Sequence, residues 1–387
     1  MSDSTRDELG FATKMIHGAL DRDRSTGAVG VPIYQVSTFD WPDLEHPGEY
    51  DYARSGNPTR AALEAAIAEA EGGVRGFAFA SGMAAISAVL SLFSAGDHIG
   101  VSDHVYGGAD RVINRVFSRF GIAATFVDPT DPAKLAAAVR PNTRALYLET
   151  PANPFLTITD LRAAVALARE RGLLTIVDNT FMTPYLQRPL DLGCDVVVHS
   201  ATKFLAGHSD LIAGLVVARE ESVARQIGFL QNALGGILGP QDSWLTLRGM
   251  KTLGVRLERE QATAQIVAEW LRERSEVTTV YYPGLSEHPG RAVHVAQARG
   301  AGAVLSFRLA DAETALRLYR RRKLPALAVS LGGVESILSV PSRMSHASLP
   351  ANRRRELGID DTLARLSIGL EDPADLVADL EQALAPD

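Results

Sequence analysis

Val196-Val197-Val198-His199-Ser200-Ala201-Thr202-Lys203 joins a run of β-branched apolar residues to two hydroxyls flanking a lysine. The apolar part is too short for a helix and shows no polar alternation, the pattern of a strand buried on both faces. Upstream, Leu173-Leu174-Thr175-Ile176-Val177 runs in the same way into Asp178-Asn179-Thr180. Similar runs occur at residues 76–80, 98–102, 123–127, 145–148 and 214–218, most of them separated by helical or turn patterns. Asn57-Pro58 opens the first helix, with the amide side chain as cap and the proline in the first turn. Leu63, Ile67 and Ala70 follow at helical spacing, and Gly72-Gly73 closes it. Buried strands alternating with helices imply an α/β protein with a mostly parallel seven-stranded sheet covered on both faces.

The chain has 387 residues, more than one hydrophobic core usually sustains, so two domains are expected. Residues 1–50, rich in glycine, proline and charge, read as an N-terminal arm; residues 51–247 carry the sheet; residues 248–387 form a smaller C-terminal domain. A long amphipathic helix over residues 244–261 is expected to bridge the two, followed by a helix at 263–274, a strand at 303–309 and a last helix at 373–384.

Hydrophobic residues make up 46% of the chain and charged residues 22%, ordinary for a globular protein. The net charge of -7, with basic residues scattered, argues against a nucleic-acid footprint. Arg320-Arg321-Arg322-Lys323 reads as a solvated helix end. The single cysteine, Cys194, excludes an intrachain disulfide, fits a reducing compartment and reads as a buried inert thiol. The first eight residues carry no apolar signal core, and no stretch is apolar enough to span a bilayer, so a cytoplasmic location without a membrane partner is expected. His199 and His208 lack metal-ligand spacing, so no metal is expected and both read as packing or hydrogen-bonding groups. Trp41, Trp244 and Trp270 read as core or interface anchors, and the loop 235–240 as a subunit contact.

In open α/β sheets ligands bind beyond the carboxyl ends of the strands. Three such ends carry reactive groups here. Ser81-Gly82-Met83 follows an apolar run and opens a helix, whose free N–H groups suit a phosphate. Asp178 ends a buried strand as either a cap or a functional charge. Ser200 and Thr202 flank Lys203, so hydroxyls can hold a phosphate while the amine reaches an aldehyde.

Tyr52-Ala53-Arg54-Ser55-Gly56-Asn57-Pro58-Thr59, Ser81-Gly82-Met83-Ala84-Ala85, Asp178-Asn179-Thr180-Phe181, Ser200-Ala201-Thr202-Lys203 and Arg365-Leu366-Ser367-Ile368-Gly369 together resemble, in order, the pyridoxal-phosphate (PLP) enzymes of Cys/Met metabolism. That family contains cystathionine γ-lyase, γ-synthase and β-lyase, methionine γ-lyase and the homoserine sulfhydrylases. The resemblance implies the aspartate aminotransferase-like PLP-dependent transferase fold (fold type I), with a C-terminal α+β domain. It implies that Lys203 forms the Schiff base and shuttles protons, and that Asp178 pairs with the pyridine nitrogen. Ser200, Thr202 and the backbone of Gly82 and Met83 would hold the phosphate. Tyr52 and Arg54 resemble residues that reach the phosphate of a neighbouring subunit, and a homotetramer built from two active-site dimers follows. Tyr106 resembles the tyrosine that stacks on the cofactor ring. Asn153 and Arg365 resemble groups that orient the ring oxygen and bind the substrate α-carboxylate.

Within the family, four positions bear on the reaction. Tyr106-Gly107-Gly108 has glycine where methionine γ-lyases typically place cysteine. Arg111 resembles an arginine that meets a distal carboxylate in cystathionine-handling γ-enzymes, though a surface helix position is an equal reading. Val329, before the substrate-contacting Ser330, stands where cystathionine γ-enzymes commonly have glutamate and implies a more apolar pocket end. Ser55 stands where some γ-synthases carry a second arginine. The expectation is a γ-lyase releasing 2-oxobutanoate from cystathionine or methionine. A γ-replacement enzyme is the alternative, ahead of a cystathionine β-lyase or a non-catalytic PLP-fold binding protein.

Overall fold

The computed structural model describes residues 9–17, 26–347 and 350–386. The first eight residues of the expected arm therefore lie outside the described residues. Seven strands form the larger sheet: β1 (Arg75–Phe79), β2 (His98–Ser102), β3 (Ala123–Val127), β4 (Thr143–Glu149), β5 (Leu174–Asp178), β6 (Val196–Ser200) and β7 (Gly214–Ala218). Their order is β1-β7-β6-β5-β4-β2-β3. All neighbours pair in parallel except at β7, which runs antiparallel to both β1 and β6. The strict alternation of strand and helix therefore fails at one place. Between β6 and β7 the chain turns back through residues 201–213 with no helix, and that turn holds the lysine.

The helices Gly82–Leu90, Gly107–Arg115 and Glu221–Leu234 cover one face around Phe77, Phe79, Ile99, Val101, Val196 and Val198. The helices Pro58–Glu71 and Pro240–Met250 cover the other around Leu63, Ile67, Val197 and Leu215. Asn57 caps Pro58–Glu71 by accepting from the backbone of Thr59 and Arg60, and Gly72 ends that helix at φ 75°. Apolar residues on both faces of each central strand explain the near-continuous sequence runs.

A second, five-stranded sheet contains β8 (Val277–Tyr281), β9 (Val304–Leu309), β10 (Ala326–Leu327), β11 (Ile337–Ser339) and β12 (Leu363–Ser367), in the order β10-β11-β12-β9-β8. Its apolar face packs on Leu253–Arg272, Ala312–Arg321 and Pro373–Leu384. On β12, Ala364 and Leu366 join that core, whereas Arg365 and Ser367 alternate to the opposite side.

The bridging helix expected over 244–261, with a second helix at 263–274, is not formed that way. Helices run over Pro240–Met250 and Leu253–Arg272, so the break falls at Lys251-Thr252 and none occurs near residue 262. The cause is tertiary. Gly249 approaches the loop after Lys203 so closely that a Cβ there would lie 2.2 Å from the Ala206 carbonyl oxygen. Leu253 and Leu257 then pack in the first core, while Ala264, Val267, Ala268 and Leu271 pack in the second.

Cys194 is fully buried, and burial pushes its thiol up to about 12, as an inert residue requires. Trp244 anchors the preceding segment by donating from its indole to the carbonyl of Val31 at 2.9 Å. The loop 235–240 lies against β1, with Ala80 N donating to Gly236 O and Leu238 N to Ala78 O.

Candidate active site

The parallel register brings three strand ends together. Glu149 at the end of β4 pairs with Asp178 at the end of β5, and Asp178 pairs with Val198 of β6. Beyond these ends lies a cavity of about 600 Å³. Gly82, Met83, Tyr106, Arg111, Asn153, Asp178, Ser200, Thr202, Lys203, Val329, Ser330 and Arg365 all line it. Residues from Gly82 to Arg365 are thus brought to one pocket.

Lys203 sits in the turn after β6. Its Nζ donates to Ser330 Oγ at 2.6 Å. Burial, with the nearby charge of Arg365 adding to it, pulls the amine down to about 8. Ser330 holds a left-handed backbone at φ 86°, a conformation costing a serine roughly 1–3 kcal/mol. It is held there from β12: Arg365 Nη2 donates to Ser330 O at 2.8 Å, and Gly332 N donates to Ser367 Oγ at 2.9 Å.

Asp178 is buried at 8% exposure and accepts from the backbone N–H of Thr180 (3.1 Å) and from its hydroxyl (2.5 Å). Burial raises its carboxyl above the usual range, opposed by those hydrogen bonds. Thr180 Oγ1 also accepts from Ser200 N at 2.8 Å, so one hydroxyl ties the end of β5 to the end of β6. Behind them His199 Nε2 lies 2.7 Å from Glu71 Oε1, and Asn179 Nδ2 donates to the same oxygen, all without solvent exposure.

Arg365 is 3% exposed. Its Nη1 donates to Asn153 Oδ1 at 3.0 Å, and burial draws its guanidinium down to about 10. Glu149, which the sequence reading passed over, organises the opposite side. It accepts from Tyr106 N (2.8 Å) and Asn153 N (3.2 Å), and burial, then the neighbouring Asp178, push it up to about 8. It ends an apolar run in the same way as Asp178, and that repeated pattern was the signal available to find it. Thr180, Met344 and Ser345 also line the cavity unforeseen. Tyr106 opens the helix Gly107–Arg115. A Cβ on Gly108 would come 2.4 Å from its ring and 2.7 Å from Met83 Sδ, so glycine there makes room for the ring.

Tyr52 and Arg54 do not reach this pocket. Both are exposed, with Arg54 Nη1 donating to Asn232 O at 2.8 Å. Thr202 Oγ1 is committed to Ala213, donating to its carbonyl and accepting from its N–H, which closes the return to β7. His208 Nδ1 donates to Ala206 O at 2.7 Å.

The donor set fits PLP. The helix Gly82–Leu90 presents at its start N–H groups that have no intrahelical acceptor. Ser200 stands nearby, Asp178 offers an anion for a ring nitrogen, and the amine of Lys203 shares the cavity. A seven-stranded sheet with one reversed strand, carrying these groups at its strand ends, defines a fold type I PLP-dependent enzyme.

The pattern of the Cys/Met metabolism PLP-dependent enzymes matches residues 12–385, and the chain belongs to that family. It is 55% identical over 372 residues to cystathionine beta-lyase MetC of Bacillus subtilis (strain 168), covering 96% of this chain and 95% of that one. It is 52% identical to a cystathionine beta-lyase of Lactococcus lactis subsp. cremoris (strain MG1363), covering 96% and 98%. Its fold matches the crystal structure of cystathionine gamma-lyase from Lactobacillus plantarum complexed with L-serine, with a TM-score of 0.95, 48% identity and 97% and 98% coverage. The first two names favour the β-lyase, which stood behind the γ-lyase in the expected order, and the γ-lyase type is not confirmed.

Proposed function

We propose that this chain is a PLP-dependent carbon–sulfur lyase that cleaves cystathionine on the Cβ side, giving homocysteine, pyruvate and ammonia. The observation that carries the substrate class is a pair of guanidinium groups, Arg365 and Arg111, lining one cavity with the amine of Lys203. Cystathionine has two carboxylates, each suited to a guanidinium fork. The names of the two β-lyase relatives support the Cβ side.

PLP, when bound, supplies an aldehyde for an amine and a ring that takes up the negative charge left on Cα. Lys203 is the residue for that aldehyde and the base that removes the Cα proton, and an amine drawn down to about 8 suits both tasks near neutral pH. Asp178 would keep the ring nitrogen protonated. The N–H groups of Gly82 and Met83, with Ser200, would hold the phosphate. Arg365, fixed by Asn153, would take the α-carboxylate. Tyr106 would supply a proton to the departing thiolate. Loss of thiolate from Cβ needs one proton removed, at Cα. Loss from Cγ needs a second, at Cβ, from the same base.

Cleavage on the γ side is the second reading, supported by the similarity to the Lactobacillus plantarum γ-lyase and by the apolar Val329 in the pocket wall. Identifying the keto acid formed from cystathionine separates the two. Pyruvate with homocysteine is expected; 2-oxobutanoate with cysteine overturns the Cβ assignment. No keto acid, together with thioether formation from an activated homoserine ester and cysteine, replaces both by a γ-synthase.

The outward-facing Tyr52 and Arg54 support a further reading, that the working unit is a dimer in which each chain completes the phosphate site of the other, paired again into a tetramer.

A further inference from the structure

Arg256 lies on the helix Leu253–Arg272, outside the cavity lining, yet is only 3% exposed. A buried guanidinium is costly unless its donors are used. Its Nη2 donates to Phe204 O at 2.8 Å and to Gly249 O at 3.0 Å, and its Nε donates to Thr252 Oγ1 at 3.2 Å. Phe204 is the residue directly after Lys203. The cation therefore clips the lysine-bearing turn to the point where the two helices break.

Backbone hydrogen bonds also close that turn, among them Gly207 N to Lys203 O at 2.8 Å, Ala206 N to Ala201 O at 2.9 Å and Lys203 N to Ser200 O at 3.2 Å. Gly207 has φ 74°, and a Cβ there would come 2.3 Å from Arg256 Nη1. The turn and the guanidinium thus pack face to face. One turn along the helix, Glu260 is fully buried with neither carboxylate oxygen in a hydrogen bond among the described residues. Burial pushes its carboxyl up to about 8, with the Arg256 charge opposing that rise. Neither residue touches the cavity.

We propose that Arg256 is a positioning residue for Lys203, setting through the Phe204 carbonyl where the amine can travel. The inference rests on Lys203 being the base named above. An amine that must reach both a cofactor aldehyde and a substrate Cα has little tolerance for a tilted turn, because displacements of about 1 Å from remote changes cost up to about 100-fold in rate.

The test is Arg256→Met, which keeps length and apolar bulk but removes the donors, compared with Arg256→Lys and wild type as cofactor-loaded enzymes. For Arg256→Met, kcat should fall roughly 10- to 100-fold while KM stays within about threefold. The kinetic isotope effect with α-deuterated cystathionine should rise, since proton removal becomes slower relative to the other steps. Arg256→Lys should lie between. In the cofactor-free chains, the rate at which the visible band of lysine-bound PLP develops should fall in the same order. Loss of packing alone would lower the melting temperature without moving the isotope effect. Wild-type values of isotope effect and PLP capture in Arg256→Met overturn the proposal. Should that variant not fold, the same two measurements on Arg256→Lys decide it in the same way. Wild type making no keto acid would sink the lyase reading instead, and the capture rates would still judge Arg256.

Discussion

An amine becomes a nucleophile and a base only when it sheds its proton. Lys203 is placed for that by two physical effects acting in one direction, burial first and the Arg365 charge second. Below about 8 the protonated form dominates, and above it the free amine. The rate of PLP capture by the cofactor-free chain should therefore climb with pH and level off beyond about 8. Arg365→Leu removes the smaller cause, so the midpoint should move upward while staying below the ordinary lysine value of 10.5. A midpoint that falls would show the charge argument to be wrong in sign. Lys203 and Asp178 were legible in the sequence because strand ends in α/β sheets expose the residues that follow them, whereas Arg365, in the middle of β12, was named only through the family resemblance. The Lys203–Ser330 hydrogen bond was not, because the two are joined only by packing of β12 and its neighbours against the lysine turn.

At the scale of elements, the site is an arrangement of strand termini. β4 and β5 end in register on Glu149 and Asp178, two carboxylates in one dry place. Like charges so close favour a proton on one of them, which accords with Glu149 pushed up to about 8. Both Glu149 oxygens accept from backbone N–H groups of the two segments that carry Tyr106 and Asn153. Glu149→Gln retains one acceptor and turns an NH2 group toward the other N–H. A buried donor left unpaired costs about 1–3 kcal/mol. Chemical denaturation should show a loss of that size, and kcat/KM should fall because Tyr106 and Asn153 lose their common support. Unchanged stability and activity would show that Glu149 is a bystander. The strands themselves were readable from their apolar runs. The helix break at Lys251-Thr252 was not, since the sequence there is amphipathic throughout and the break lies where Gly249 packs against Ala206 and Arg256 donates to Gly249 O and Thr252 Oγ1.

For the whole molecule, the question is whether one chain suffices. Tyr52 and Arg54 stand in a stretch that resembles a family motif, but the fold leaves both exposed and outside the chain's own cavity lining, with Arg54 held to Asn232. A site shared between chains predicts complementation. Arg54→Ala and Lys203→Ala are each expected to be nearly inactive alone. Unfolded together and refolded as an equal mixture, they should regain about a quarter of wild-type activity, since half the dimers are mixed and each mixed dimer has one intact site. Activity no higher than the parents' would mean that each chain works alone. Among the described residues no helix is long and apolar enough to cross a membrane.

The amino-acid sequence by itself determined the α/β class and the order of the strands' chemistry along the chain, because these follow from local runs of apolar residues and the short polar motifs that end them, while the cofactor and the family came from the resemblance of those motifs to the Cys/Met metabolism enzymes. Tertiary structure alone decided which of those motifs meet. It placed Glu149 beside Asp178, turned Ser330 onto Lys203, sent Tyr52 and Arg54 outward, and broke a continuous amphipathic pattern so that Arg256 could grip the lysine turn. Periodicity reports only which face of an element is buried; what that face is buried against depends on residues distant in sequence, 52 positions for Arg256 and Phe204 and 127 for Lys203 and Ser330.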